Sequence, residues 1–389
     1  MIVEPKVRGF ICTTAHPEGC RKSVENQIAY VKASKRMEHL VHAPKKVLVL
    51  GCSTGYGLAS RITAAFGYGA ATLGVMFEKL ATQKRTATPG YYNTKAFEED
   101  AKAEGLYAKT LNGDAFSNEM KQQVIEVIKE DLGQVDYVIY SLAAPRRTDK
   151  SGVTYSSVLK TTNEPYTNKT LDLRTNEIKE VTIEPATDEE VASTIKVMGG
   201  EDWEDWISAL SHAGVLSPNA TTVAYSYIGP EITYPIYFHG SIGMAKKDLY
   251  DTAKRMSEEY KESGLRSIVS VNKALVTQAS AAIPIVPLYI SILYKVMKEK
   301  NLHEGCIEQM VRLFARLGSE KLETDKEGRI RMDDYEMRED VQEQVKTAWK
   351  AITTETVPFY ADMEGYYKEF YHMFGFCYSD IDYTKDVEI

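Results

Sequence analysis

The residues best equipped for chemistry lie in YPIYFHGSIGMAKK, residues 234–247. Tyr237 stands nine positions before Lys246, Lys247 follows at once, and Gly240, Ser241 and Gly243 lie between. A phenol can donate a hydrogen bond and then a proton, and a nearby ammonium stabilises negative charge developing on oxygen. The set suits a reduction in which an oxygen becomes negative. Spacing restricts how the groups can meet. Nine residues at about 100° each sweep about 900°, half a turn out of phase, so on one unbroken helix Tyr237 and Lys246 would face opposite ways. They converge only if Tyr237 precedes the helix. Gly240 and Ser241 supply the break, with Ser241 expected to cap a helix starting at Ile242. A buried tyrosine beside an exposed lysine pair has the same letters, and with 25 tyrosines the chain offers many such coincidences.

A second stretch, GCSTGYG, places glycines at 51, 55 and 57 between an apolar run and a helical pattern. Glycines let backbone turn tightly against a pyrophosphate, and the helix start offers unpaired N–H groups and a positive dipole end. This is the pattern of a dinucleotide site, although a glycine turn without a ligand can look alike. The next apolar run ends in Phe77–Glu78. A carboxylate there can accept from both adenosine ribose hydroxyls and would repel a 2′-phosphate, favouring NADH over NADPH. Lys79, Lys84 and Arg85 would soften that choice. Asp114 and Ala115 fall where adenine should lie, and SLAAP, residues 141–145, offers small side chains beside a nicotinamide.

These groups need a scaffold. Residues 18–42 read as an amphipathic helix. KKVLVLGCSTGYGLASRITAAFGYGAATLGVMFE then reads as strand, glycine loop, helix and strand. Residues 106–111 are a third strand, 118–131 a helix, VDYVIYSLAAP a fourth strand, TTVAYSYIG a fifth and SIVSVNKAL a sixth. Short apolar runs alternating with helices predict a parallel sheet, with the candidate residues at the carboxyl ends of its strands. Within an insertion, KTLDLRTNEIKEVTI alternates like a hairpin turning at 174–177, and Thr187 and Glu190 have capping-box spacing for a helix. The C-terminal third is helical and charged. The expected fold is α/β, a Rossmann-type doubly wound parallel sheet forming a single domain over 1–389. It carries a lid-like insertion (146–215, β-hairpin plus helices) and a helical C-terminal wrap.

Taken together, G-x3-G-x-G at 51–57, Y-x8-K at Tyr237–Lys246 and ALVTQAS at 274–280 resemble the trans-2-enoyl-CoA reductases, including the related long enoyl-ACP reductases. HPEGC, VMGGEDW, AYSYIGP, YKVMKEK and RIRMDD share the resemblance, which covers nearly the whole chain. It implies that Gly51, Cys52, Ser53, Thr54, Gly55, Tyr56, Phe77, Glu78, Asp114, Ala115, Leu142 and Ala143 bind NADH. Leu275, Val276 and Thr277 would add a further cofactor contact. It further implies that Tyr227 contacts substrate, Tyr237 is the proton donor, Lys246 binds the cofactor and Lys247 is a second lysine linked to activity. The implied reaction is reduction of a trans-2-enoyl-CoA, crotonyl-CoA in type: hydride reaches C3, charge moves to the thioester oxygen, and a proton reaches C2. Three alternatives stay open: an enoyl-ACP reductase on the same fold, a carbonyl reductase, and a catalytically silent NAD-binding regulator.

Bulk properties narrow the partners. The formal charge of −8 argues against nonspecific nucleic-acid or anionic-membrane binding. Five scattered cysteines do not read as a disulfide framework, the first residues lack a signal-peptide core, and the longest apolar run, residues 279–294, contains Pro284 and Pro287 and is too short for a bilayer. That run reads as core or as a wall for an acyl chain. The expectation is a cytoplasmic monomer with a small acyl thioester as its partner, no nucleic acid, no membrane and no metal. Cys12, His16 and Cys20 lack a fourth ligand and read as a helix start, and DKEGRIRMDDYE has Ile330 where a calcium loop needs glycine. Trp203 and Trp206 read as packing residues, and His239 as either a proton relay or an exposed side chain.

Overall fold

The computed structural model describes residues 1–9, 11–34, 42–278, 280 and 283–389. Its apolar runs pair into one seven-stranded sheet, all parallel. We number its strands in chain order: β1 (Lys46–Leu50), β2 (Ala71–Met76), β3 (Ala108–Asn112), β4 (Val135–Tyr140), β5 (Leu216–Ser226), β6 (Arg266–Val271) and β7 (Ile330–Arg331). The spatial order is β7-β6-β5-β4-β1-β2-β3. The chain starts centrally, winds outward to β3, returns to β4 beside β1 and winds out the other way. Val47, Leu48, Val49 and Leu50 are fully buried because both sheet faces are covered, which is why these strands read as continuous apolar runs. The six expected strands all lie in this sheet.

One face is covered by α1 (Pro17–Ala33), α2 (Gly55–Ile62), α3 (Pro89–Ala103) and α9 (Cys306–Leu317). The other is covered by α4 (Asn118–Val127), α6 (Glu201–His212) and α7 (Ser241–Glu259). Beneath the first face Arg61 of α2 is fully buried, donating to Thr72, Thr110 and the Lys109 carbonyl; a Cβ at Gly74 would lie 2.8 Å from its guanidinium. The helix expected over 18–42 ends at Ala33, and residues 35–41 lie outside the described ones. His16 is its N-cap, as the helix-start reading required, with Nδ1 accepting from Gly19 N–H at 3.3 Å.

The insertion contains two pairings. Arg146–Thr148 pairs with Thr154–Ser156, which the sequence did not announce, and Tyr166–Asp172 pairs with Glu177–Ile183 in the expected hairpin. Asn176 takes φ +58 in its turn. Then α5 (Asp188–Met198) begins with the Thr187–Glu190 capping box in place. Trp203 and Trp206 are fully buried; their indole N–H groups donate to Thr222 and to the Ala115 carbonyl.

A third apolar cluster lies past the carboxyl ends of the strands. It combines α8 (Val286–Glu299), α10 (Glu339–Ala351), the short α11 (Val357–Tyr360) and α12 (Met363–His372) with Tyr237 and residues 274–276. Lys169 of the hairpin donates to the carbonyls of Trp349, Lys350 and Ile352, fastening the insertion to this wrap. Part of the apolar run expected at 279–294 is thus the buried helix α8, while residues 279, 281 and 282 lie outside the described ones. Among the described residues, no helix is long and apolar enough to cross a membrane.

Candidate active site

The strand order reverses between β1 and β4, and there the glycine turn and the end of β4 meet. Gly51 has φ +82, and a Cβ on it would lie 2.2 Å from the Ser141 carbonyl oxygen. A Cβ on Gly57 would lie 1.9 Å from the Gly51 oxygen. Gly55 differs: φ is +53 and nothing lies within 4 Å of a Cβ built there. The turn is therefore closed on its inner side and open on its outer one. Thr54 precedes α2 without a side-chain capping bond, leaving the first N–H groups of the helix available to an anion. Glu78 is held by the Ser53 hydroxyl, 2.6 Å from its Oε1, and its backbone is gripped on both sides by the Asn112 amide. Phe77 beside it is 79% exposed, a bare ring at the crevice edge. Asp114 accepts from Phe116 N–H in a tight turn, and Ala115 is buried. These residues fit an adenine dinucleotide: an open phosphate cradle, a carboxylate for a ribose and an apolar face for a base.

The tyrosine chemistry sits at the ends of β5 and β6. Tyr227 follows β5, and Gly229 (φ +73) makes room for it, since a Cβ there would lie 2.6 Å from the Tyr227 hydroxyl. Tyr237 lies in the turns before α7, as its spacing required. The first turn of α7 packs directly on its backbone: a Cβ at Gly243 would lie 2.1 and 2.3 Å from the carbonyl oxygens of Phe238 and Tyr237. The two rings meet edge to face, centroids 4.7 Å apart at 87°. Burial pushes both phenols well above their ordinary range, so both are protonated at neutral pH. Among the described residues no hydrogen bond occupies the Tyr237 hydroxyl, whereas Tyr227 donates to Glu336.

One expectation needs correction. Ser241 is the first residue of α7 and Gly240 the N-cap; the Ser241 hydroxyl instead donates to the Val158 carbonyl and accepts from Lys160 N–H, tying α7 to the insertion. The two lysines differ in setting. Lys246 is directed to the end of β5, donating to the Tyr225 carbonyl at 3.2 Å, and burial without a counter-charge lowers its pKa to about 8. Lys247 is exposed, as is His239. Among the described residues no hydrogen bond joins Tyr237 to either lysine.

The floor of the site was not legible in the sequence. Glu336, fully buried, accepts from the hydroxyls of Tyr227 (3.0 Å) and Tyr289 (2.7 Å) on Oε1, and from Ala274 N–H (2.7 Å) on Oε2. Burial raises its pKa, opposed by the charge of the neighbouring buried Lys273. The Lys273 carbonyl accepts from Tyr56, stitching the glycine turn to residues 274–277. Val276 N–H donates to the Tyr294 hydroxyl, which donates in turn to Glu369 of α12. Leu275 and Val276 are buried and Thr277 after them is half-buried; past the end of β4, Leu142 is half-buried and Ala143 exposed.

Comparison with known proteins places this geometry. Residues 85–317, more than half the chain, match the model described as trans-2-enoyl-CoA reductase catalytic region, and residues 2–83 match its NAD(P)H binding domain. The chain belongs to the trans-2-enoyl-CoA reductase family. It is 56% identical to the trans-2-enoyl-CoA reductase [NADH] of Ruminiclostridium cellulolyticum, covering 100% of this chain and 98% of the relative. It is also 56% identical to the enoyl-[acyl-carrier-protein] reductase [NADH] of Flavobacterium johnsoniae, covering 99% and 97%. The crystal structure of Clostridium acetobutulicum trans-2-enoyl-CoA reductase in complex with NADH superposes with TM-score 0.96 at 49% identity, covering 100% of this chain and 98% of that one.

Residues 324–387 match a model described as enoyl reductase FAD binding domain. In this reductase the segment does not fit a flavin. Its glycine turn at Gly328 is filled by the chain's own carboxylate, Asp325 Oδ1 accepting from Glu327 and Arg329 N–H at 2.9 and 3.0 Å, which would repel a pyrophosphate. Its helices bury Val341, Val345, Tyr366 and Phe370 in the third core cluster. Among the described residues no group of three His, Cys, Asp or Glu side chains could hold a metal ion.

Proposed function

We propose that this chain is an NADH-dependent reductase of the C2=C3 double bond of trans-2-enoyl-CoA thioesters, crotonyl-CoA in type. The observation that carries the reading is Tyr237: a buried, protonated phenol whose hydroxyl takes no hydrogen bond among the described residues, packed on Tyr227 just past the end of β5. When bound, NADH supplies the hydride that C3 receives. Gly51, Cys52, Ser53, Thr54, Gly55 and Tyr56, with the start of α2, hold the pyrophosphate. Phe77, Glu78, Asp114 and Ala115 hold the adenosine, and Leu142, Ala143, Leu275, Val276 and Thr277 flank the nicotinamide. Lys246 holds the nicotinamide ribose, and Lys247 sets the charge at the rim. Tyr237 donates to the thioester oxygen as it becomes negative, which stabilises the enolate, and a proton delivered to C2 completes the saturated thioester. Within residues 146–215 the two strand pairs and α5 act as a lid, whereas α6 belongs to the cover of the sheet. The enzyme works as a monomer in the cytoplasm, which its five unpaired cysteines suit.

Purified protein should consume NADH when crotonyl-CoA is added, and absence of turnover with any enoyl-CoA would sink the reading. A second reading, reduction of enoyl-ACP, is favoured by the carrier-protein name of an equally identical relative. Comparing kcat/KM for crotonyl-CoA and crotonyl-ACP separates the two.

A further inference from the structure

Two phenols stand at the site, and either could deliver a proton. We infer that Glu336 decides between them: it is a positioning residue that fixes the polarity of the tyrosine pair. Resting on the reductase reading above, the inference starts from hydrogen-bond bookkeeping. An ionised carboxylate can only accept, and each of the three groups that reach Glu336 is a donor: the Tyr227 and Tyr289 hydroxyls and Ala274 N–H. The side chain is fully buried, and buried Lys273 supplies compensating charge. A phenol has one hydrogen to give, and Tyr227 gives it backward to Glu336, not to Tyr237 or the substrate. Tyr227 can then present only its oxygen lone pairs and its ring to the site. Tyr237, packed edge to face against that ring, is left as the phenol with a hydrogen to donate forward.

The same carboxylate fixes the loop that borders the nicotinamide, because Oε2 holds Ala274 N–H one residue before Leu275. Glu336 thus couples the proton donor to the cofactor loop, from a segment whose family description speaks of a flavin. Its backbone helps hold it in place: the Glu336 carbonyl accepts from the Gln342 amide at 2.7 Å, and that amide also donates to Tyr289 at 3.2 Å.

The test is Glu336→Gln. Glutamine keeps an acceptor for Ala274 N–H but turns an NH2 group toward the two phenols, so Tyr227 can no longer donate backward. With crotonyl-CoA, kcat should fall by about tenfold or more while the NADH dissociation constant changes by less than about threefold. Because Glu336 acts through the Tyr227 hydroxyl, adding Glu336→Gln to Tyr227→Phe should lower kcat by no more than about twofold further. Wild-type kcat in Glu336→Gln, or losses that multiply in the double variant, would overturn the inference. If Glu336→Gln does not fold, Glu336→Asp serves: it keeps the charge but is too short to reach both phenols, so the same kcat loss is expected, with no more than about a twofold further loss when it is added to Tyr227→Phe; full activity, or losses that multiply, would overturn the inference. Failure of the wild-type enzyme with every enoyl-CoA would strike the underlying reading instead, so the two failures are distinguishable.

Discussion

Tyr237 keeps its proton because burial disfavours the phenolate. An acid that stays protonated until substrate charge develops in front of it is suited to the task. Lys246 has the opposite character. Burial holds it at about 8, so it is cationic below that pH and neutral above it. If its charge holds the cofactor, kcat/KM should be level on the acid side of about 8 and decline above it as the ammonium loses its proton. Lys246→Arg, charged throughout, should remove the decline; a wild-type profile level across that range would dismiss the charge from this role. Glu78, braced by Ser53, should repel a 2′-phosphate. Glu78→Gln should narrow the preference for NADH over NADPH by about tenfold or more, read as the ratio of kcat/KM values. At this scale the sequence revealed groups in local patterns, such as the glycine turn and Y-x8-K. Glu336 stayed hidden because it reaches Tyr227 across 109 positions and no local period marks such a partner.

Elements were legible in proportion to the apolar face they bury. The six long strands and α5 followed from runs and a capping box. β7 did not, because it pairs through only Ile330 and Arg331 in a charged stretch. Ser241 was misjudged as a cap because its hydroxyl serves a tertiary contact, which local sequence cannot signal. The turn joining β1 to α2 depends on close backbone approach. Gly57→Ala puts a Cβ on the Gly51 carbonyl, an atom that cannot swing aside, and should cost about 1–3 kcal/mol of stability or more while weakening NADH binding. Denaturant midpoints and NADH titration check both effects; unchanged values would mean the turn has slack.

Across the whole molecule, two cores sandwich the sheet and a third closes over its carboxyl ends. The third is built largely by residues distant in sequence, so the sequence could suggest a wrap but not that it supplies Glu336 and Glu369 to the floor of the site. Removing residues 324–387 would strip α8 of its cover and leave Tyr227, Tyr289 and Tyr294 without their acceptors. The shortened chain should lose cooperative thermal unfolding, followed by circular dichroism; a folded fragment that still reduces crotonyl-CoA would show the wrap to be dispensable. The most direct measurement on the chemistry is steady-state crotonyl-CoA reduction by Tyr237→Phe, with NADH binding titrated in parallel. A loss of about 100-fold or more in kcat with cofactor affinity intact is the expected result, and near-full turnover would mean that the proton comes from elsewhere.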